Sequence, residues 1–381
     1  MLPLQCPSQV RETKQVQRVI SLACSYVHMQ NWPVNSVSTR AVKLDTENQR
    51  PRTTHSWLPA LVAMLLISRL GIGWVQESQW HDPSPHRVLS VEVAPDVKLE
   101  VLDWGGAGPA VVLLAGLGNT AHIFDNFAPK LARTYHVYGI TRRGFGASSA
   151  PPAGYTTDRL ARDVIEVIES LKIQRPIVVG HSFAGEEMTV LGTQFPTRVT
   201  GLVFLEAAYD RTSASFAKWN TLFDRAKPPP PGTEDQKSYS AFRAWYVRTM
   251  GIDPPEADLR ESSVPSAYSP IGAPRTPPSV TTAILSGLTK PNYGGIGVPA
   301  LAIYAVPRSE EDVPGFGTAS ESAVRDLFQV MKEEERTNSA AFRSAVREAR
   351  VIEIPGAKHL LFLSNEEDVL RAIRAFVLNT R

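Results

Sequence analysis

The chain has 381 residues, 43% of them hydrophobic and 20% charged, and its 40 basic side chains nearly balance its 38 acidic ones, for a formal net charge of +2. That balance belongs to a globular protein long enough to bury a sizeable core, and it carries none of the concentrated basic footprint that a nucleic-acid partner would leave. Both cysteines, Cys6 and Cys24, fall in the first 56 residues, so the rest of the chain has no disulfide, no thiolate metal ligand and no cysteine nucleophile.

Residues 1–84 read as a basic extension. Within it an apolar run, Trp57–Ile67, follows Arg50 and Arg52 and is closed by Ser68 and Arg69. The run is too short for a membrane span, which needs about 20 residues, but it fits the core of a secretory signal or a membrane anchor. A plain amphipathic extension and a start codon assigned too early, with Met64 or another internal methionine as the true start, are the competing readings. Export or membrane association is thus expected about as readily as a cytoplasmic location.

From residue 85 to residue 381 the texture is that of one α/β domain. Arg87–Val93 and Val97–Leu102 alternate in part and are separated by Ala94-Pro95-Asp96, as in a pair of adjoining strands. Pro109–Leu114 and Pro176–Val179 are short and almost wholly apolar, the pattern of strands buried on both faces of a parallel sheet, and His136–Thr141, Val199–Leu205, Ala300–Ala305 and Arg350–Ile354 read as the further strands. Helical stretches lie between them: Leu160, Val164, Ile168 and Leu171 recur at helical spacing, Ser182–Phe195 ends at Pro196, and Ser320–Ala349 is charged and helical. The last helix is expected to start at Ser364, which stands three residues before Glu367 as in a capping box. Helices alternating with apolar strands predict a mostly parallel central sheet covered on both faces. The alternation fails between about residues 207 and 298, where prolines and the aromatics Trp219, Tyr239, Trp245 and Tyr246 gather; an insertion this long reads as a helical lid with proline-rich connections.

The chemistry centres on Gly180-His181-Ser182-Phe183-Ala184-Gly185, with a buried strand before it and a helix after it. A tight strand–turn–helix of this kind lifts the serine hydroxyl above the sheet at a helix N-terminus, where the dipole and free N–H groups favour developing negative charge. A serine hydroxyl needs a base, and of the eight histidines His359 is the one placed just after the last strand, in Pro355-Gly356-Ala357-Lys358-His359. Sites of open parallel sheets form beyond the carboxyl ends of the strands, where Ser182 and His359 both lie. Glu186 and Glu187 complement the dipole of the following helix, and Arg142 and Arg143 are expected in structural ion pairs.

These stretches resemble the α/β-hydrolase fold superfamily. The matching segments are Leu114-Ala115-Gly116-Leu117-Gly118, Arg142-Arg143-Gly144-Phe145-Gly146-Ala147-Ser148, Gly180–Gly185, and Gly356-Ala357-Lys358-His359 with Phe362, in the family's order from about Arg87 to the end. The elbow departs mildly, with Ala184 where the family usually has glycine. The resemblance implies an oxyanion hole built from the N–H groups of Leu117 and Phe183, and a triad acid between Ser182 and His359 in the chain. Most relatives place that acid after the strand here written Ala300–Ala305, where Arg308 stands and Glu310, Glu311 and Asp312 follow. A second family option places it after the strand ending at Leu205, where Glu206 stands and Asp210 is close behind. Glu206 is the first choice, with the other four open.

A serine nucleophile separates the chain from the dehalogenases and epoxide hydrolases of the superfamily, which use aspartate. No metal-ligand spacing and no dinucleotide fingerprint occurs, so no cofactor and no metal is expected. The expected activity is hydrolysis of a small-molecule, apolar carboxylic ester through an acyl-enzyme. Amide, lactone or carbon–carbon bond hydrolysis on the same fold is the alternative, and a ligand-binding or sensor protein without turnover is the third reading.

Overall fold

The computed structural model describes residues 80–266 and 269–380. The cysteines and the apolar Trp57–Ile67 run of the N-terminal extension lie outside the described residues. Among the described residues, no helix is long and apolar enough to cross a membrane.

Two strands, β1 (Arg87–Ala94) and β2 (Val97–Gly105), are joined at Asp96, which has φ +60°. β3 (Ala110–Leu114) leads through a turn and the short helix α1 (Ala128–Leu131) to β4 (His136–Ile140). Helix α2 (Thr157–Ser170) leads to β5 (Ile177–His181), helix α3 (Ala184–Gln194) to β6 (Gly201–Leu205). The insertion carries α4 (Ala214–Ala226), α5 (Tyr239–Met250), α6 (Glu256–Ser262), the two-residue strands β7 (Ser263–Val264) and β8 (Ala273–Pro274), and α7 (Pro278–Ser286). Then follow β9 (Ala300–Val306), the long helix α8 (Glu321–Ala345), β10 (Ala349–Pro355), the single turn α9 (Leu361–Ser364) and α10 (Glu366–Asn379).

The eight long strands form one sheet in the order β1-β2-β4-β3-β5-β6-β9-β10. β1 and β2 run antiparallel to their neighbours; from β4 to β10 every pairing is parallel. The parallel sheet and its helices are those of an α/β-hydrolase fold. Period-2 alternation divides each central strand between two cores. Val112, Leu114, Val178, Leu202, Phe204 and Ala302 face one side, against Val164 and Ile168 of α2 and Met188 and Leu191 of α3. Val111, Leu113, Val179, Val203, Leu205 and Ile303 face the other, against Phe124, Phe127 and the α10 residues Val369, Ile373 and Phe376. A strand with helices on both faces has no solvent side, which is why these runs are apolar without a break. Each fully buried Val, Leu or Ile contributes about 1.5–3 kcal/mol, so the sheet is a rigid platform for whatever its strand ends carry.

One boundary differs from the sequence reading. The last helix starts at Glu366, with Asn365 before it, and the Ser364 hydroxyl instead accepts the Lys358 N–H at 3.0 Å and donates to Asn365. The turn α9, with Leu361 and Phe362 buried in the core, uses the residues that the capping pattern had left free.

The β5–α3 junction explains the departure at Ala184. A Cβ on Gly180 would meet Met188 Sδ at 2.2 Å and the Ala184 methyl at 2.9 Å, so the strand end must be glycine and the residue facing it must be small. The crossing of α3 over β6 needs its glycine one residue later, because a Cβ on Gly185 would lie 1.9 Å from the Ala207 carbonyl oxygen. That neighbour is backbone and cannot swing aside. Gly185→Ala is therefore expected to destabilise the protein by about 2–3 kcal/mol in urea unfolding. A loss within about 0.5 kcal/mol, the range of a neutral surface change, would contradict this close packing.

Candidate active site

Ser182 follows β5 with φ +53°, a left-handed conformation that a residue with a Cβ adopts only where its surroundings impose it. Its N–H donates to the Leu205 carbonyl at 3.0 Å, extending the β5–β6 pairing by one rung, and its carbonyl accepts the Gly185 N–H at 3.0 Å, opening α3. One strand further along, Glu206 repeats the device: φ is +50° and its N–H donates to the Ile303 carbonyl at 2.9 Å. Parallel neighbours thus present two left-handed residues side by side at their carboxyl ends.

The Glu206 carboxylate is buried. Oε1 accepts the Ala305 N–H at 2.6 Å and the Tyr209 hydroxyl at 3.0 Å, and Oε2 lies 3.3 Å from His359 Nδ1. Of the five carboxylates weighed from the sequence, this is the one brought to His359. Asp312 accepts from the Arg308 N–H at 2.9 Å and faces Lys358 Nζ at 3.4 Å, and Asp210 accepts from the Thr212 N–H at 3.0 Å and its hydroxyl at 2.6 Å. Glu310 pairs with Arg325 at 3.6 Å, and Glu311 lines the cavity.

His359 stands beyond β10. The His181 ring packs against it at 4.6 Å between centroids, and His181 Nε2–H donates to the His359 carbonyl at 3.0 Å, so the elbow also positions the imidazole. Burial pushes Glu206 up to about 7 against the pull of its donors and of Arg211. Burial, and then the positive charge of Arg211, hold His359 down at about 3, so the resting imidazole is neutral and able to accept a proton.

The loop after β3 comes within touching distance of the elbow: a Cβ on Gly116 would lie 2.8 Å from His181 Nδ1 and 3.2 Å from Ser182 Cβ. Gly116–Asn119 is a turn closed by the Asn119 N–H on the Gly116 carbonyl at 3.3 Å, with Gly118 at φ +96° as the third residue, the position that favours glycine in a type II turn. Arg142 Nη2 donates to the Ala115 carbonyl at 2.9 Å and Nη1 to the Gly116 carbonyl at 3.3 Å. No peptide bond among the described residues is cis, so a Gly116 carbonyl turned towards Arg142 turns the Leu117 N–H the opposite way. Among the described residues, neither the Leu117 nor the Phe183 N–H donates to a protein acceptor.

The arginines and glutamates flagged in the sequence become buried partners. Glu187 holds Arg142 through a hydrogen bond to Nε and a second to Nη2 at 3.2 Å. Glu186 holds Arg211 at 3.0 Å, and Arg143 holds Asp163 with a second contact of 2.6 Å. Burial places these glutamates in ion pairs rather than at a solvated helix end. The sequence reading missed Tyr209, Arg211 and a buried cluster in which Asp258, from α6, accepts from Asn119 and Thr120; no motif marks residues whose role arises only where the insertion meets the loop. Burial pushes Asp258 up to about 6 against those donors.

Ser182, Glu206, His359, Leu117 and Phe183 all line one cavity of about 730 Å³. The insertion supplies Phe216, Trp219, Phe223, Tyr246, Ile252 and Leu285 to its walls. A grouping of imidazole and carboxylate atoms within 4.8 Å of one another includes His86, His122 and Asp125, a donor set a cation could use, but none of the three lines this cavity.

A family model for the alpha/beta hydrolase fold matches residues 109–282. An uncharacterised protein of Mycobacterium tuberculosis is 31% identical over 102 residues, which is 27% of this chain and 30% of that protein. The chain thus matches less than a third of the length of that relative. The 2-(acetamidomethylene)succinate hydrolase of Mesorhizobium japonicum is 23% identical over 279 residues, covering 71% of this chain and 89% of that enzyme. The crystal structure of an E-2-(acetamidomethylene)succinate hydrolase superposes with a TM-score of 0.56 at 19% identity, over 77% of this chain and 99% of the other.

The folded-state pKa of Glu206, about 7, lies above its ordinary 4.5. Stability from keeping this acid protonated is therefore complete below pH 4.5 and is lost as pH rises through about 7, to the order of 3 kcal/mol. Glu206→Gln cannot titrate, so its unfolding free energy relative to the unsubstituted protein should rise between about pH 4.5 and pH 7 and level off above that. A difference (variant minus unsubstituted) that stays constant or falls in denaturant titrations across that range would contradict the raised carboxyl.

Proposed function

We propose, for a chain that belongs to the α/β-hydrolase superfamily and is a hydrolase of that fold, that it is a serine hydrolase cleaving carboxylic esters by way of an acyl-enzyme. The observation that carries this reading is the left-handed Ser182 at the β5–α3 turn, in one cavity with His359, whose Nδ1 lies 3.3 Å from the buried Glu206. In this reading Ser182 Oγ attacks the substrate carbonyl while His359 Nε2 takes its proton. The N–H groups of Leu117 and Phe183 hold the oxyanion, the second of them at the N-terminus of α3, where the helix dipole adds to it. The imidazolium formed is stabilised by Glu206, and its proton then goes to the leaving alkoxide. Water, deprotonated by the same imidazole, releases the acid and restores Ser182.

The insertion acts as a lid over the cavity and selects the acyl or alcohol group. Its aromatic walls, with half-exposed Val247 and Phe316 also lining the cavity, favour an apolar substrate of moderate size. The name of the Mesorhizobium relative, which aligns over most of this chain, supports trying N-acyl compounds beside esters.

Purified protein should react with a fluorophosphonate and turn over p-nitrophenyl butyrate, and Ser182→Ala and His359→Ala should each lower turnover at least about a thousandfold. Folded, unsubstituted protein that neither labels nor turns over any ester, amide or lactone offered would leave the binding-protein reading in its place. Glu206→Gln would present an amide N–H to His359 Nδ1, favouring the tautomer with its proton on Nε2, where it cannot accept from Ser182. Its kcat should fall by about a hundredfold or more with circular dichroism unchanged, and near-normal kcat would move the acid elsewhere.

A further inference from the structure

We propose that Asp258, carried by the insertion, is a positioning residue for the oxyanion loop, so that acyl transfer is fast only while helix α6 is seated on that loop. This rests on the serine-hydrolase reading of the same site. Asp258 is 2% exposed, and all the acceptor contacts the structure gives its carboxylate go to two consecutive residues of the loop: Oδ2 to Asn119 Nδ2 at 2.7 Å, and Oδ1 to the Thr120 N–H and the Thr120 hydroxyl, each at 2.8 Å. At the other end of the same helix, the Ser262 hydroxyl reaches the Gly118 carbonyl at 3.4 Å. α6 therefore grips the turn at three successive residues, 138 or more positions away in sequence for Asp258.

The loop needs such a grip. Its donor, Leu117, lies between Gly116 and Gly118, the two residues with the fewest steric restraints on their backbone. On the elbow side Arg142 holds the Ala115 and Gly116 carbonyls. Downstream, beyond the end of β3 at Leu114, the sheet side takes hold at Ala121, whose N–H donates to the Thr141 hydroxyl at 2.9 Å just past β4. Asp258 and Ser262 add a hold on Gly118, Asn119 and Thr120, between that contact and Leu117, and the turn is then fixed directly on both sides of Leu117. If α6 only had to stick to the domain, an apolar side chain would do so without the cost of burying a carboxylate. A carboxylate saturated by three donors adds direction: only one placement of the turn satisfies it. Since an oxyanion donor is worth its full effect only when aimed at the developing charge, an unseated α6 would lower the rate without removing any group that touches substrate.

The test uses the full chain with Asp258→Ala and Asp258→Asn. Ser182 is titrated to completion with a fluorophosphonate, so that kcat is counted per competent site. KM for p-nitrophenyl butyrate and the inhibition constant of an alkyl trifluoromethyl ketone, which forms a tetrahedral adduct on the serine, are measured alongside. For Asp258→Ala we expect kcat per titrated site to fall about 10- to 100-fold, ketone affinity to weaken in parallel, and KM to stay within about threefold. Asp258→Asn should recover part of both, because its amide oxygen can still accept from Thr120. A loss confined to KM or to the number of titratable sites, with kcat per site and ketone affinity unchanged, is what a merely structural role would give and would overturn the proposal. If Asp258→Ala does not fold, Asp258→Asn decides: kcat per site and ketone affinity both equal to those of the unsubstituted protein overturn the proposal, and a joint fall supports it. Should the unsubstituted protein itself fail to titrate or turn over, the serine-hydrolase reading is what fails.

Discussion

The rest of the site depends on one constraint, the parallel pairing of β5, β6 and β9 up to their last residues. Because Ser182 donates to Leu205 and Glu206 donates to Ile303, the ladder carries on into the turns, and each turn begins with a left-handed residue at a defined height. The proposed nucleophile and the proposed acid therefore stand on adjacent strand ends of a platform buried on both faces. Any slip of register would move them by a full residue and turn one of them to the wrong face of the sheet. The backbone strain of two left-handed, Cβ-bearing residues is held there by that ladder and by the close packing of Gly180 and Gly185.

Around this platform, charge is handled by burial with partners. Arg142 with Glu187, Arg211 with Glu186, and Arg143 with Asp163 all lie under the surface, within or beside the elbow and the loop that faces it. Breaking any one of them would leave a buried charge without compensation, which costs far more than an exposed pair is worth. Their contribution is directional: Arg142 turns two carbonyls of the loop towards itself, and the N–H of the residue after them is turned the opposite way. The positive field of Arg211 reaches His359 and Glu206, so the same ion-pair layer that orders the backbone also biases the protonation of the site.

The insertion closes the arrangement. Its helices line the cavity with aromatic side chains, and α6 reaches past them to the loop after β3. A segment that both lines the cavity and holds the loop facing Ser182 would, in the proposed reading, link occupancy of the pocket to the geometry of that loop. The physical reason is that Leu117 stands between two glycines, beyond the end of β3 and ahead of the contact of Ala121 with Thr141.

Much of this was legible in the sequence. Unbroken apolar runs of five or six residues told of strands covered on both faces, and the flanking helices followed from apolar residues at helical spacing. Gly180-His181-Ser182 and the placement of His359 after the last strand pointed to their positions because tight turns and strand ends leave local marks. Glu206 could be named beforehand only as one of five carboxylates, since what brings it to His359 is the pairing of β6 with β9 and the burial behind Ala305 and Tyr209. The start of the last helix was misplaced by two residues because Ser364 satisfies a capping pattern whichever partner its hydroxyl takes. By itself the sequence determined the sheet, the elbow and the order of the chemical groups, which depend on local geometry and burial. Only the tertiary structure decided which acid faces the histidine, which arginine turns the loop carbonyls and how Asp258 meets Asn119 and Thr120. Each of these contacts joins residues tens to more than a hundred positions apart, and no local pattern encodes such a distance.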